Sequence, residues 1–319
     1  MVVYLFFMVI WFFIRKKVFY VLLVFLLLGF NAHRSYLAIG SIKKTDTEGK
    51  KTYAILQYNV QGFDAYNKDG KYLNREEIIA NIAEAKADII CLEEFNTYHN
   101  HPTEKSNLDM VVAATGLKHQ YYYKAYENSK STRSFGLIIL SRFPVINSGH
   151  LEYLSLSRLN STIYADLLIE NDTIRVFCSH LQSTQLNHYD LDFIEASNDA
   201  QTDFDADRIT NKLKMSYALR AQEADSVSIY LKKSPHPIIS CGDFNDTPVS
   251  YTYRKMSENL QDAFLQKGFG IGATYAPFPF IRIDYQLFDE DKFEIVDFKR
   301  IKERSSDHYP CVTTFVVND

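Results

Sequence analysis

The sequence predicts an α/β fold, and three observations carry that reading. Short apolar runs rich in β-branched and aromatic residues alternate with a few segments of helical period. Polar and charged residues recur directly at the ends of those runs. The 319 residues are 46% hydrophobic and 23% charged, enough apolar material for a sizeable core.

The elements follow in order. Tyr53 to Tyr58 reads as a strand, Arg75 to Lys86 as an amphipathic helix (Ile78, Ile79, Ile82, Ala85), and Ile89 to Leu92 as the next strand. Phe135 to Leu140, Tyr164 to Ile169 and Ile174 to Cys178 are further strands. Asp207 to Lys233 has the length and period of a long helix, with Ile209, Leu213, Tyr217, Ala221, Ala224 and Val227 as its expected buried stripe. Pro237 to Cys241, Ile283 to Phe288 and Cys311 to Val317 complete the strands. Asn187 to Asp207 is acidic, aromatic and without period, and is expected to be a mobile loop. Its acids lack the glycine and the terminal glutamate that a calcium loop needs.

The N-terminus differs in kind. Met1 to Ile14 and Val18 to Phe30 are almost wholly apolar and are interrupted by Arg15-Lys16-Lys17. Each run is short of the roughly 20 residues that cross a bilayer. A secretory signal would place its charges first and end in small residues. Two arrangements stay open: a tight pair of membrane segments, or one tilted span after an interfacial segment. Residues 1–32 are therefore expected to be a membrane anchor, 33–50 a linker and 51–319 one catalytic domain. The first run has no polar flank, as in a chain lacking an upstream part. The basic triplet would face the cytoplasm and the domain the extracytoplasmic, periplasmic side.

Cys91, Cys178, Cys241 and Cys311 each lie in an apolar run without metal-ligand spacing, so they read as free core cysteines. The net charge of −4 and pI of about 6.2 give no basic footprint for a phosphate backbone. No repeat, glycine-rich nucleotide loop or low-complexity tract is present.

The chemistry lies in six strand-end clusters: Asn59 in Tyr58-Asn59-Val60; Glu94 in Glu93-Glu94-Phe95; His180 in Ser179-His180-Leu181; Asp243 and Asn245 in Gly242-Asp243-Phe244-Asn245-Asp246; Asp284 in Ile283-Asp284-Tyr285; and Asp307-His308. Each alone is a weak signal, because a strand-end Asn is usually a turn residue and a lone His usually structural. Six in one domain describe hard metal ligands beside a general base, the chemistry of phosphate-ester hydrolysis.

With these motifs the chain resembles the endonuclease/exonuclease/phosphatase superfamily, which includes DNase I-like nucleases, inositol polyphosphate 5-phosphatases and neutral sphingomyelinases. The resemblance runs from about Tyr53 to Val317. It is most specific at Gly242-Asp243-Phe244-Asn245 and Ser306-Asp307-His308, with Ser141-Arg142-Phe143-Pro144 matching a structural turn. It implies a four-layer α-β-β-α sandwich (DNase I-like), here preceded by N-terminal membrane helices, as some bacterial members have. It further implies that Asn59, Glu94 and Asp307 hold Mg²⁺ or Mn²⁺, and that His308 is the general base, steadied by Asp284. Asp243 and Asn245 would position water and phosphoryl oxygens, and His180 would donate to a non-bridging oxygen. Glu93 stands where many members carry Gln and is expected to point into solvent. Arg158 and Arg282 are candidate substrate contacts, with an ion pair the equal alternative for Arg282.

The expected activity is a membrane-anchored, Mg-dependent phosphoesterase, with a lipid head group or small phosphate ester favoured as substrate. A nuclease is the alternative within the enzyme class, disfavoured by the acidic balance. A non-catalytic binding module is a weaker alternative, because Glu94, Asp243, Asn245 and His308 are all in place. No obligate protein partner is implied.

Overall fold

The computed structural model describes residues 2–29, 34–40, 45–64, 74–99, 101, 104–128, 130, 132–153, 159–184 and 202–318. At the N-terminus α1 (Val2–Ile14) and α2 (Lys16–Leu28) are helices of 13 residues each. Arg15 joins them in an extended conformation, and Phe12 packs edge-on against Phe19 at 5.1 Å. Thirteen residues rise about 20 Å, against a hydrocarbon core of about 30 Å. Among the described residues no helix is long and apolar enough to cross a membrane. The expected membrane-spanning block is thus corrected to two short helices, broken where the basic triplet interrupts the apolar run. Their side chains remain largely exposed, Phe13 and Leu28 most of all.

The expected linker is partly docked. Ala38 forms a backbone bridge with Gly270, and the carbonyl of Ser35 accepts from Arg282 Nη2 at 2.9 Å.

Alternation decides where each strand sits. In β1 (Thr52–Asn59) Ile55 faces one apolar layer while Leu56 and Tyr58 face another. In β2 (Ile89–Tyr98) Ile89 and Cys91 join the first layer, Ile90 and Leu92 the second. Strands feeding two cores at period two must lie inside a layered fold. The first sheet runs β11 (Phe293–Arg300), β12 (Cys311–Val317), β1, β2, β4 (Arg133–Ser141), β3 (His119–Glu127). The second runs β5 (Val145–His150), β6 (Ser161–Ile169), β7 (Asp172–His180), β8 (Ile238–Asp243), β10 (Asp284–Asp289), β9 (Leu260–Asp262). Each sheet has one parallel pair, β1–β2 and β7–β8, among antiparallel neighbours.

The sheets stack through Ile55, Cys91 and Ile139 on one side and Val176, Cys178 and Ile239 on the other. Helices α3 (Arg75–Glu84) and α4 (Asn107–Thr115) cover the first sheet through Ile78, Ile82 and Val111. The long α5 (Thr202–Lys232) and the short α6 (Tyr251–Met256) cover the second through Ala224, Val227, Leu231 and Met256. Two mixed sheets flanked by helices make a DNase I-like α/β sandwich.

Two expectations about the long helix shift, while that of free core cysteines holds. The helix begins at Thr202, inside the segment expected to be a loop; the rest of that segment up to 201 lies outside the described residues. Its buried face carries Ile209, Ser216, Arg220, Glu223 and Val227, whereas Tyr217 is exposed. The stripe is rotated because two ionisable side chains turn inward to bond a neighbouring loop. All four cysteines are free and buried.

Candidate active site

β1, β2, β7 and β8 all end at one edge of the sandwich, and β10, antiparallel to β8, begins there. Register therefore pairs Asn59 with Glu93, His180 with Asp243, and Asp284 with Asp243. Gly242 makes this closeness feasible. Its φ is 141°, and a Cβ there would sit 2.0 Å from the Ser179 carbonyl oxygen across the parallel pair.

In β2 the pairing with β4 shifts between Leu92 and Phe95, and Glu94 has φ +50°. This bulge is how two consecutive glutamates take opposite roles. Glu94 reaches the rim with its side chain 28% exposed, while Glu93 is fully buried between the sheets. The expectation that Glu93 points into solvent is corrected: period-two alternation continues from Cys91, which faces inward, to Glu93.

The structure brings most of the predicted residues together. His308 Nδ1 lies 2.9 Å from Asp284 Oδ2, and its Nε2 is 3.6 Å from Asp243 Oδ2. His180 Nε2 is 3.7 Å from Glu94 Oε1 and 3.8 Å from Asp243 Oδ2. Asn59 Nδ2 donates to Glu94 Oε1 at 3.2 Å and to Asp243 Oδ2 at 3.1 Å. Asn245, in the left-handed region at φ +53°, donates its backbone N–H to Asp243 Oδ1 at 2.8 Å and its amide to the Leu181 carbonyl at 3.0 Å.

The loop bearing Asp307 and His308 is fastened on two sides. Ser306 Oγ donates to the Asn59 carbonyl at 2.8 Å, and Ala276 N–H donates to the Asp307 carbonyl at 2.8 Å. Tyr275 places its ring edge-on to His308, centroids 5.2 Å apart. Thr274 Oγ1 accepts from the N–H groups of Ile283 and Asp284, fixing the start of β10.

Burial pushes the carboxyl of Asp243 up, with the two histidines opposing that shift, and burial likewise raises Asp307. Burial opposes a charged His308, yet Asp284 and Asp243 outweigh it and hold the ring well above the ordinary histidine range. Asp243, Asp284 and His308 offer ligand atoms within 4.8 Å of one another. Because Asp284 is already bonded to His308 Nδ1 and Asp243 Oδ2 stands 3.6 Å from Nε2, the trio is a carboxylate–histidine pair beside a second carboxylate more naturally than a coordination shell.

The donors at the rim fit a hard cation. Glu94, Asp243 and Asp307 offer carboxylate oxygens, and Asn59 bonds two of these side chains through Nδ2 and would offer its own oxygen on turning its amide.

Two predicted contacts fare differently. Arg282 is 1% exposed; its Nη1 is bound to Asp262 Oδ2 at 2.6 Å and its guanidinium lies over Phe264 and Tyr285. The substrate-contact expectation is corrected to a buried ion pair beneath the loop. Arg158 lies outside the described residues. Sequence reasoning missed Arg220 and Glu223. Arg220 Nη1 donates to the Gln182 carbonyl at 2.8 Å, and Glu223 Oε2 accepts from the Gln182 N–H at 2.7 Å. Together they clamp the peptide two residues past His180. The available signal was a charged pair three apart on the helix face that also carries Val227.

A sandwich of two mixed sheets whose shared edge gathers carboxylates, an amide and two histidines has the architecture of the DNase I-like class. The profile of the Endonuclease/Exonuclease/phosphatase family matches residues 56–308, and the chain belongs to that family. Its members are in general metal-dependent, phosphoester-cleaving hydrolases. Among solved structures the chain is similar to an endonuclease/exonuclease/phosphatase from Beutenbergia cavernae: 16% identity, TM-score 0.59, covering 84% of this chain and 72% of that one. It is similar also to the human Nocturnin catalytic domain with bound sulfate: 15% identity, TM-score 0.57, covering 85% and 99%. A third is humanized D. rerio TDP2: 14% identity, TM-score 0.56, covering 83% and 98%. These likenesses speak for the fold alone. A search of curated proteins found no match.

Proposed function

We propose that the chain is a membrane-associated, Mg²⁺- or Mn²⁺-dependent phosphoesterase acting on a small phosphate ester or a lipid head group. The observation that carries this reading is the Asp284–His308–Asp243 trio set beside Glu94 and His180 at one rim. Asn59, Glu94 and Asp307 would hold the cation, which when bound polarises the phosphoryl group and offsets charge in the transition state.

The chain's own residues do the rest. Asp284 fixes the His308 tautomer with a proton on Nδ1, leaving Nε2 to accept a proton from the attacking water. Burial opposes a charge on the ring, but Asp284 and Asp243 outweigh it and raise the affinity of His308 for a proton, as suits a group that takes one from water. Asp243 and Asn245 orient the water, and His180 Nε2 donates to a non-bridging oxygen as charge builds.

The site's surroundings favour a substrate of low charge. A cavity of about 220 Å³ is lined by Glu94, Asp243, Asp246 and Asp307, with Tyr275, Phe278 and Ile281 as an apolar wall. Arg220 is the arginine among its described lining residues, and Asp246 already holds it at 3.3 Å. A singly charged diester meets less repulsion here than a polyphosphate.

Membrane association is read from α1 and α2. Phe6, Phe13, Val21, Phe25 and Leu28 are exposed, and such an apolar surface with a basic break suits the interfacial plane of a bilayer better than water.

The test assays the full chain with Mg²⁺ against bis-p-nitrophenyl phosphate, p-nitrophenyl phosphate, phospholipid vesicles and plasmid DNA. Turnover of the esters or vesicles above DNA supports the reading; preference for DNA replaces it with a nuclease.

A further inference from the structure

Beneath the rim lies a buried polar group that the reaction as described does not use. Gln57 sits in β1, two residues before Asn59, with its side chain fully buried between the sheets. Its Nε2 donates to Glu93 Oε2 at 2.8 Å and to Asp284 Oδ1 at 2.9 Å. Glu93 Oε1 in turn accepts from Cys178 Sγ at 3.1 Å. An amide has two N–H groups, and both are committed to carboxyl oxygens. Gln57 Oε1 has no hydrogen-bond partner among the described residues. A flipped amide would set that oxygen against two carboxyls, so the observed orientation follows from electrostatics.

Asp284 is thereby gripped at both oxygens, Oδ1 by Gln57 and Oδ2 by His308 Nδ1. A carboxylate held by one oxygen can rotate about its terminal torsion, which is soft. One held by both cannot rotate without losing a buried hydrogen bond and leaving a buried polar group unpaired.

We infer that Gln57, backed by Glu93, is a positioning residue for the general base: it locks Asp284 so that His308 keeps Nε2 aimed at the reacting water. The inference rests on the phosphoesterase reading for its catalytic consequence but on geometry for the lock. Glu93 contributes as an acceptor that fixes the amide's plane. A glutamine at 93 offers the same acceptor and an apolar residue offers none.

The experiment reads two quantities in the full chain. The first is the downfield proton resonance of His308 Nδ1–H, which needs no substrate. The second is kcat and KM on bis-p-nitrophenyl phosphate with Mg²⁺. Gln57→Met, close in volume and without donors, is expected to shift or broaden the resonance and lower kcat by about 10- to 100-fold, the range for partners one shell out. KM should stay within about twofold, since no substrate contact is lost. Glu93→Gln is expected to retain the resonance and most of kcat, and Glu93→Leu to lose both. If Gln57→Met fails to fold, Gln57→Asn shortens the amide within the same polarity and is read the same way. An unchanged resonance in the position-57 variant, or equal loss in Glu93→Gln and Glu93→Leu, overturns the inference. Absence of wild-type turnover on any ester, with the resonance still shifting in Gln57→Met, overturns the proposed function and leaves the lock standing.

Discussion

The two edges of the sandwich invite comparison, because both carry cavities and only one carries chemistry. At the edge opposite the site, Lys50, Lys51, Glu170, Asp172 and Lys292 line a cavity of about 670 Å³, three times that at the catalytic edge. Its charges are matched one to one: Lys51 with Glu170 at 2.6 Å, Lys292 with Asp172 at 3.2 Å and Lys50 with Glu294 at 3.1 Å. The catalytic edge instead crowds buried Asp243 and Asp284 and half-buried Asp307 around two histidines. Cavity size does not mark function here; buried charge of one sign does.

That contrast is broken or sharpened by substitution at either edge. The largest effect is expected from His308→Ala, which should lower kcat by about 10²- to 10⁴-fold while the fold persists, as read by circular dichroism. Glu94→Gln removes a charge from the cation's side. It should weaken Mg²⁺ activation at least about tenfold in a metal titration, with saturating metal restoring part of the rate.

Arg282→Leu separates stability from chemistry. Leaving Asp262 buried without its cation should destabilise the protein by about 3–5 kcal/mol, measured by denaturant unfolding. Turnover per folded molecule should hold at low temperature. A raised KM with unchanged stability would return Arg282 to the substrate.

The pH dependence of the metal-free chain follows from the raised groups. His308, Asp243 and Asp307 all bind protons more tightly folded than unfolded. Their contribution is fully present below the unfolded values and is lost as pH rises through the folded ones. For His308 the loss begins above about pH 6.5. Carboxyls lowered in the fold, such as Asp166, act only at lower pH and do not cancel this. Tm without metal should therefore fall from pH 6 to pH 9, and Mg²⁺ should flatten the slope. The smallest effect is expected from Lys292→Ala at the opposite edge: kcat unchanged and stability altered by less than about 1 kcal/mol.

Much of this was legible in the sequence where one period or one motif decides the outcome. Ile55 to Asn59, Ile89 to Glu94 and Cys178 to His180 announce strands ending in polar residues, and the structure gathers those ends at one edge. What escaped depends on three dimensions. β3 carries four tyrosines among polar residues and, as an edge strand with little burial, shows only a faint pattern. Glu93 follows the inward alternation of Cys91, but the bulge that frees Glu94 to the rim is a register event between β2 and β4, distant in the chain, and has no local signature. Arg220 and Glu223 look like solvated helix charges until the Gln182 peptide is seen between them. Arg282 looks like a substrate contact until Asp262 and the Ser35 carbonyl are found around it.

The most direct test is the initial rate of bis-p-nitrophenyl phosphate hydrolysis by the full chain in Mg²⁺ and in EDTA, with His308→Ala alongside. Hydrolysis that requires Mg²⁺ and disappears in the variant is the expected result. A rate indifferent to EDTA, or a near-normal rate in His308→Ala, would contradict the account of the catalytic edge.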